Sequence, residues 1–412
     1  MIKIFKFLLL NRSKKELISK NDSICVQLIN LVPYNNARVE GLVNFGFKCK
    51  CLLNYKNDLF KPLSIINDNL DTKVISSRNR IYKTYEIINY IFSNNFKVVF
   101  VTGYLELSSL STIIGTLLKG NKLILFSESQ EIDLNKRNLF KEIYKRIILH
   151  VFDGAVVGGE CHKEYLIKLG MKKNIIFKGY DCVDNNFFIS KSIKVKSKID
   201  EEIYVCCVCR FVKKKNLFTL INSFKRFKNN FTISNYIKLK IAGTGPLESE
   251  LKSYVKSLKI KDIEFVGPVN YDYLPEFYAN SKGLILLSTS EQWGLVTNEA
   301  LNCGIPVLIS EKCGSRELIK ENVNGFIVNE MNEADISSRI LDLIKLAERK
   351  GTNLKCRNSI KNISTSNFAK ACYQASNASN KKVLKKIMGF IFIIIFLFIK
   401  NLRFNEKQKF EA

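Results

Sequence analysis

The fold is decided by one stretch of the sequence, residues 283–310, which reads GLILLSTSEQWGLVTNEALNCGIPVLIS. An uncharged apolar run is followed by a short loop containing a glycine, then by a helix pattern and a second apolar run. Strand, helix and strand in this order predict two parallel strands joined by a crossover helix. Two carboxylates eight residues apart, Glu291 and Glu299, lie in the loop and in the expected first turn of the helix. Acids are common in first turns, because the helix N-terminus favours negative charge, so the pair alone does not identify a site.

The same alternation extends through most of the chain. In the first half, strand patterns occur in ICVQLINLV, KCKCLLN, KVVFVTGY, KLILFSES and FDGAVVGG, with helical stretches over residues 82–92 and 139–150. In the second half, strand and helix alternate from about residue 203 to residue 328. This pattern is typical of parallel sheets covered by helices on both faces. The predicted fold class is α/β, with two Rossmann-like doubly wound domains facing a cleft, plus a C-terminal hydrophobic tail.

Composition shifts divide the chain into five segments. We predict a first domain over residues 22–188, a lysine-rich linker over 189–202 and a second domain over 203–355. A polar tail follows over 356–382, and its packing back onto the first domain is one prediction for it. Residues 383–400 are apolar. The uncharged core of that segment, 387–399, would span about 20 Å as a helix, less than the roughly 30 Å of a bilayer core. We therefore favour monotopic membrane attachment, with burial in the protein core as the alternative.

Charge and cysteine content restrict the partners and the compartment. The chain has 412 residues with 65 Lys and Arg against 38 Asp and Glu, a net charge of +27. This excess suits an anionic partner such as nucleic acid, a phosphorylated substrate or an acidic membrane face. Lys, Asn and Ile are abundant throughout, which weakens the charge as evidence. The 12 cysteines are scattered without finger-like spacing, and they indicate reduced thiols in a cytosolic protein rather than zinc sites or disulfides.

Three loops of the second domain carry the candidate chemistry. Arg210 follows the strand YVCCV, and Lys215 precedes a helix, where two cations suit a phosphate or diphosphate. Gly243 and Gly245 lie in the turn AGTGP, which lets a ligand approach the backbone closely. Glu291 begins the third loop. Each loop has an ordinary alternative, since a KKK run is usually solvated surface and a glycine turn is common between strand and helix.

These motifs together resemble the second domain of retaining glycosyltransferases of the GT-B fold, the large glycosyltransferase family 4. The resemblance rests on the cations after the first strand, the G-x-G-P turn and the E-x7-E spacing in SEQWGLVTNEALNCGIPVLIS. GSRELIKENVNGFIV then follows in the family's order. It covers about residues 204–328. The first domain departs from the commoner pattern, because NLVPYNNARVEG stands where many members have a glycine pair.

The resemblance implies a role for each candidate residue. Arg210 and Lys215 would bind the donor diphosphate and stabilise the departing nucleotide. Glu291 would contact the transferred sugar, and Glu299 would hold the ribose hydroxyls. Glu128, in the SES stretch of the first domain, is a further catalytic candidate on the acceptor side. The donor-binding set is completed by Gly243, Gly245, Trp293, Gly294 and Leu295.

The predicted function is that of a retaining glycosyltransferase. It would transfer a hexose or hexosamine from a nucleotide sugar to a glycan or lipid-linked acceptor in cell-envelope polysaccharide biosynthesis. The cations would replace a metal, so no metal or other cofactor is expected. The predicted location is cytoplasmic, attached to an anionic inner membrane face, and no nucleic acid partner is expected. The alternatives are a sugar-nucleotide epimerase or phosphorylase on the same scaffold, or a non-enzymatic basic protein that binds membrane or nucleic acid.

Overall fold

The computed structural model divides the chain into two compact units. It describes residues 17–54, 70–77, 79–131, 139–195, 202–232, 236–378 and 386–394. The first unit contains the described residues up to Tyr180 together with those from Thr365 onward, and the second unit is Asp181–Ser364. The first unit is therefore built from two separate parts of the chain, whereas the second is continuous in sequence.

Each unit contains one parallel sheet. Within the described residues the first sheet has seven strands in the order β3-β2-β1-β4-β5-β6-β7, and the second has six in the order β10-β9-β8-β11-β12-β13. The strands of the first sheet are β1 (Ser23–Leu28), β2 (Lys48–Asn54), β3 (Asp71–Ile75), β4 (Val98–Thr102), β5 (Lys122–Ser127), β6 (Gly154–Val157) and β7 (Ile176–Lys178). Those of the second sheet are β8 (Ile203–Val208), β9 (Ile237–Ala242), β10 (Ile263–Gly267), β11 (Leu284–Leu286), β12 (Val307–Ser310) and β13 (Gly325–Val328).

Helices connect the strands and cover both sheets. Those of the first unit are α1 (Pro33–Phe45), α2 (Arg80–Ser93), α3 (Leu107–Lys119), α4 (Leu139–Leu149), α5 (Glu160–Lys168) and, after the second unit, α13 (Thr365–Asn377). Those of the second unit are α6 (Asn185–Ile193), α7 (Leu217–Asn230), α8 (Glu248–Ser257), α9 (Leu274–Ala279), α10 (Leu295–Cys303), α11 (Glu333–Glu348) and α12 (Thr352–Ile360). Residues 386–394 are also helical, and we call them the C-terminal helical segment.

The core of the first unit lies on both faces of its sheet. Alternate residues of β4 and β5, such as Val99 and Leu125, face a cluster that α2, α3 and α4 complete. Phe126 faces the opposite side, where its ring stacks on Tyr180 at 4.8 Å and lies 5.4 Å from the ring of Phe368 in α13. Since side chains alternate across a strand, β5 needs an apolar layer on each side, and α13 supplies part of the second layer.

In the second unit, α7 packs with α11, whereas α10 packs with α6, α9 and α12, which gives two helical layers. The strand order reverses beside β8, whose neighbours are β9 and β11. In doubly wound sheets, ligands bind at the carboxyl ends of the strands near such a reversal. The loops that carry Arg210, Gly243 and Glu291 follow β8, β9 and β11, so they all lie at this edge.

The observed division of the chain differs from the predicted boundaries. The N-terminal part of the first unit ends at Tyr180 rather than at residue 188. The second unit begins at Asp181 rather than at residue 203, because α6 packs against α9 and α10 of that unit. The first part of the predicted linker, residues 189–193, completes α6, and residues 196–201 lie outside the described part of the chain. The predicted polar tail forms α12 and α13, and the latter belongs to the first unit.

The twelve cysteines are all free thiols, and nine of them are buried. Cys207 and Cys209 lie on the same side of the end of β8, with their Sγ atoms 3.8 Å apart. A hydrogen bond that Cys207 donates to Cys209, together with burial, raises the pKa of Cys207 well above its ordinary value. A thiol with such a raised pKa is held in its protonated, unreactive form, because the thiolate is the nucleophile and the metal ligand.

Candidate functional site

The loop after β8 places the two predicted cations in different environments. Arg210 is exposed immediately beyond the strand. Residues Lys213–Lys215 form a single 3-10 turn, and Asn216 then takes a left-handed conformation with φ 55° at the start of α7. Only 14% of the Lys215 side chain is exposed. Arg210 can therefore reach a ligand from the solvent, whereas Lys215 is fixed beside the protein interior.

Lys215 and Glu291 form an ion pair across the carboxyl edge of the sheet. The Lys215 Nζ donates to Glu291 Oε2, and the Ser288 hydroxyl donates to the same oxygen at 3.0 Å. Burial alone would lower the pKa of Lys215, but the charge and hydrogen bond of Glu291 outweigh burial and raise it above its ordinary value. Lys215 is therefore a fixed positive charge. Its ammonium has three N–H donors, and Glu291 takes one of them.

The backbone holds the Glu291 loop between two neighbouring loops. Thr289 N donates to the Lys214 carbonyl at 2.8 Å, which ties the loop to the one after β8. On the other side, Gly314 N donates to the Glu291 carbonyl at 3.0 Å, and Ser315 N donates to the Trp293 carbonyl at 3.0 Å. These bonds come from three loops that follow three adjacent strands. Glu291 is thus positioned by backbone contacts on both sides before any ligand binds.

Trp293 is part of the protein interior. Its side chain is 2% exposed, and its Nε1 donates to Asn298 Oδ1 at 2.9 Å. Asn298 in turn donates from Nδ2 to the Asp181 carbonyl at 2.9 Å. The indole therefore orients α10 and the start of the second unit. Any contact between Trp293 and a ligand at this edge would therefore come from its backbone.

Gly294 allows α10 to begin directly after the loop. Its φ of 95° is left-handed, and a β-carbon there would lie 2.9 Å from the Leu286 side chain. Helix α10 starts at Leu295, and among the described residues no side chain caps its first turn. Backbone amides at an uncapped helix N-terminus form an anion site, and the helix dipole strengthens it. Gly294 and Leu295, two of the predicted donor-binding residues, lie at this helix start.

Glu299 lies deeper than the sequence predicted. We expected it in the first turn of the helix, but α10 begins at Leu295, so Glu299 is its fifth residue. Its side chain is almost fully buried at 7% exposure, and Tyr278 donates a hydrogen bond to its Oε2 at 2.8 Å. Burial raises the pKa of Glu299 to about 7, and the Tyr278 hydrogen bond opposes that rise. Glu299 therefore changes its charge near neutral pH.

The turn after β9 brings two backbone segments unusually close. Gly243 has φ 134°, and a β-carbon there would lie 1.9 Å from the Cys209 carbonyl oxygen. A β-carbon at Gly245 would lie 2.5 Å from the Phe211 carbonyl oxygen. Phe211 N also donates to the Thr244 carbonyl at 2.9 Å. The glycines are thus required for the contact between this turn and the loop after β8, in addition to any contact with a nucleotide.

Glu128 belongs to the first unit, where it directly follows β5 and is partly buried. The first sheet also reverses its strand order, between β1 and β4. At that point Thr102 N donates to Gln27 Oε1 at 3.1 Å, and the Thr102 hydroxyl donates to the Gln27 carbonyl at 2.9 Å. Arg38 is buried nearby, with its guanidinium 4.1 Å from the ring of Tyr180. Sequence reasoning did not identify this polar group at the end of β1.

A cleft of about 620 Å³ lies at the other edge of the second sheet, and it is distinct from the predicted donor site. Its charged residues already have partners. Arg357 donates to the carbonyls of Asn302 and Cys303 at the end of α10, and Lys282 pairs with Glu348 at 3.5 Å. These contacts complement the negative end of a helix and fix the surface. We therefore assign the cleft a structural role.

Two contacts at the site were not foreseen from the sequence. Ser288 bonds Glu291 from three residues away, and Tyr278 bonds Glu299 from another helix. The serine could have been found, because it lies in the same strand-to-loop stretch as Glu291. The tyrosine gave no signal, since YDYLPEFYA has the pattern of an ordinary apolar helix.

The part of the chain that contains the site is similar to known proteins. Residues 189–362 match the family described as glycosyl transferases group 1. An uncharacterized glycosyltransferase of Methanocaldococcus jannaschii is 28% identical over 142 residues, covering 34% of this chain and 38% of the relative. The predicted resemblance to this family is therefore confirmed for the region that contains the site.

A second relative has a named reaction. It is the GalNAc-alpha-(1->4)-GalNAc-alpha-(1->3)-diNAcBac-PP-undecaprenol alpha-1,4-N-acetyl-D-galactosaminyltransferase of Campylobacter jejuni. It is 26% identical over 243 residues, covering 59% of this chain and 64% of the relative. The chain thus spans less than two thirds of the length of both curated relatives.

A solved structure extends the comparison to both units. The Anabaena HepE protein, crystallised with UDP and glucose, aligns with a TM-score of 0.66 at 14% identity, covering 85% of this chain and 98% of that chain. The predicted fold, two Rossmann-like domains of the GT-B type, is thereby confirmed.

Proposed function

We propose that the protein is a retaining, nucleotide-sugar-dependent glycosyltransferase. It transfers a hexose or hexosamine to a glycan or lipid-linked acceptor in cell-envelope polysaccharide biosynthesis. The observation that carries the proposal is the Lys215–Glu291 ion pair beside the uncapped start of α10. This arrangement lies within the residues that match the group 1 glycosyl transferases. The relative from Campylobacter jejuni, whose name specifies an undecaprenol-linked acceptor, supports the acceptor class.

In the proposed reaction, the second unit binds the donor diphosphate with positive groups. Lys215 uses its remaining N–H donors, Arg210 approaches from the exposed side, and the first amides of α10 face the phosphates. These groups stabilise the negative charge that develops on the departing nucleotide, as preorganised donors do in other transfer reactions. The bond between the sugar and the diphosphate breaks as the acceptor hydroxyl attacks the sugar from the same face, and the hydroxyl proton passes to the departing phosphate. Glu291, fixed by its neighbours, holds the sugar hydroxyls.

Glu299 is the proposed ribose contact. A carboxylate accepts two hydrogen bonds from a vicinal diol when it is ionised. Because burial raises the pKa of Glu299 to about 7, donor binding is expected to strengthen as the pH rises through neutrality. Gly243 and Gly245 line the nucleotide side, and Glu128 serves the acceptor side in the first unit. Metal independence is part of the proposal.

We also place the protein on the cytoplasmic face of a membrane, where lipid-linked acceptors are available. Its net charge of +27 favours an anionic surface. Within the described residues, every helix is too short or too polar to cross a bilayer. Peripheral or monotopic attachment is the form of the proposal, and it is developed below from the C-terminal helical segment.

The proposal is tested by donor binding, monitored through the single tryptophan, Trp293, which lies in the site loop. The protein is titrated with UDP-, GDP-, ADP- and dTDP-sugars in the presence of EDTA, and donor hydrolysis is followed in parallel. We compare Lys215→Ala with Lys213→Ala, a matched control on the exposed side of the same turn. We expect one nucleotide class to bind the native protein and the control, and to bind Lys215→Ala at least tenfold more weakly.

Two outcomes would contradict the proposal. Equal donor binding by Lys215→Ala and Lys213→Ala would remove Lys215 from the site. Absence of nucleotide-sugar binding, combined with DNA binding that weakens steeply with salt, would favour a basic binding protein instead.

A further inference from the structure

The C-terminal helical segment packs against the first unit. Phe390 and Ile393 are buried within its core at 5% and 0% exposure. The ring of Phe392 lies 5.7 Å from that of Tyr144 in α4. A β-carbon at Gly389 would lie 2.6 Å from the Val151 side chain, just beyond α4. The absence of a side chain at Gly389 therefore lets the segment pack closely against the end of α4. The segment is therefore an integral part of the first unit rather than a free tail.

A buried ion pair fixes the start of the segment. Lys386 Nζ donates to Asp153 Oδ1, and the side chains are 4% and 0% exposed. The other carboxylate oxygen of Asp153 accepts from Leu123 N at 3.1 Å. Removing one partner of a buried pair leaves an uncompensated charge in the interior, which is strongly destabilising. Lys386 is thus unavailable to lipid head groups.

The opposite face of the segment is apolar and exposed. Met388, Ile391 and Ile394 are 62%, 47% and 44% exposed, and their three-residue spacing puts them on one side of the helix. Ile143 of α4 is also 43% exposed. It is one turn before Ile147, whose carbonyl oxygen borders Gly389. Apolar side chains thus line the outside of both the segment and the helix beneath it.

The surrounding sequence indicates what covers this face. The apolar run continues to residue 399, and Lys400 and Arg403 follow it. Lys381, Lys382 and Lys385 precede the segment. An apolar strip flanked by cations on both sides suits an anionic lipid surface. A second copy of this chain is a poor fit, because the same cations and the net charge of +27 would repel each other.

We propose that the face formed by Ile143, Met388, Ile391 and Ile394, here called the membrane face, inserts into the head-group region of an anionic bilayer. The Lys386–Asp153 pair holds this face to the first unit, so the unit itself rests on the membrane. The proposal rests on the membrane location proposed above but not on the transfer reaction. Deleting residues from 383 onward would remove core residues together with the membrane face, so single substitutions are the appropriate test.

The experiment measures binding of the full chain to sedimenting vesicles of phosphatidylglycerol and phosphatidylcholine, with phosphatidylcholine alone as the neutral arm. Ile391→Glu is compared with Leu354→Glu, a matched control at a 60% exposed apolar position of the second unit. We expect Ile391→Glu to weaken binding to the anionic vesicles by about tenfold or more, since it puts a charge at the lipid boundary. Leu354→Glu should bind the anionic vesicles as the native chain does. Neutral vesicles should bind the native chain and both variants weakly.

Ile143→Glu separates a docked segment from a free tail. If the segment stays on α4, Ile143→Glu weakens vesicle binding as well. If the segment leaves the protein to bind lipid, only Ile391→Glu has an effect, and the docked membrane face is wrong. Unchanged binding by Ile391→Glu, or an effect confined to self-association in light scattering, would also overturn the proposal. Binding of soluble donor is measured on the same samples, so failure of the membrane face is distinguishable from failure of the proposed transferase.

Discussion

Replacing Glu299 by glutamine is expected to stabilise the second unit at alkaline pH but not at acidic pH. The pKa of Glu299 is raised by burial to about 7 in the folded chain, from an ordinary value of 4.5. Below pH 4.5 the carboxyl group is protonated in both the folded and the unfolded chain, so its ionisation does not affect the free energy of unfolding. As the pH rises from 4.5 to about 7, the unfolded chain loses the proton while the folded chain keeps it, so the native protein loses stability over this range.

The magnitude follows from the two pKa values. A difference of about 2.5 corresponds to about 3 kcal/mol in the free energy of unfolding. Glutamine has nearly the same shape, cannot ionise and still accepts the hydrogen bond from the Tyr278 hydroxyl. The variant should therefore match the native protein at pH 4.5 and exceed its stability by about 3 kcal/mol at pH 8.

The assay is urea unfolding at pH 4.5, 6 and 8, followed by the fluorescence of Trp293, the single tryptophan of the chain. Trp293 is buried within the second unit, so the signal reports the unit that contains Glu299. Glu250→Gln, at an exposed carboxylate on α8, is the matched control. Tyr278→Phe removes the hydrogen bond that opposes the rise in pKa, so the total loss of stability should be larger and should extend to higher pH. A difference between Glu299→Gln and the native protein that is the same at all three pH values would refute the reasoning.

Two further predictions use the same unfolding assay. Lys215→Met and Glu291→Leu should each lower the free energy of unfolding by about 3 kcal/mol, because each leaves a largely buried charge unpaired. The loss in the double variant should be smaller than the sum of the two single losses by about 1–3 kcal/mol. Additive costs in that cycle would show that the two charges do not stabilise each other. Gly243→Ala should lower the free energy of unfolding by more than about 2 kcal/mol, because its β-carbon would overlap a carbonyl oxygen. Gly267 also has a positive φ, but its surroundings are open, so Gly267→Ala should lower the free energy of unfolding by only about 1–2 kcal/mol. Equal losses at the two glycines would mean that the turn relaxes to admit a β-carbon.

Local pattern was sufficient to predict the central strands and the edge that carries the site. KLILFSES predicts β5, and GLILLSTS and IPVLIS predict β11 and β12, because central strands of a parallel sheet are continuous apolar runs. The short edge strands β3 and β7 were not predicted. DTKVI is mostly exposed, and IFK is too short to show a period, so neither has the burial that produces a sequence signal.

The site was predicted at the level of loops but not of contacts. Arg210, Lys215 and Glu291 were assigned to one edge because their loops follow neighbouring strands. The pairing of Lys215 with Glu291, which are 76 residues apart, depends on side-chain positions that periodicity does not encode. The first-turn position expected for Glu299 was wrong, because the left-handed Gly294 lets the helix begin at Leu295, four residues before Glu299.

The return of the chain to the first unit through α13 has a consequence for synthesis on the ribosome. Phe126 and its neighbours on that side of β5 emerge early, but Phe368, which packs against them, is translated more than 240 residues later. The second unit is continuous in sequence and can fold as soon as residue 364 has left the ribosome tunnel. The N-terminal half therefore waits with an uncovered apolar layer while a later part of the chain completes its fold. Such a nascent chain is exposed to aggregation and to chaperone capture until its last helices arrive.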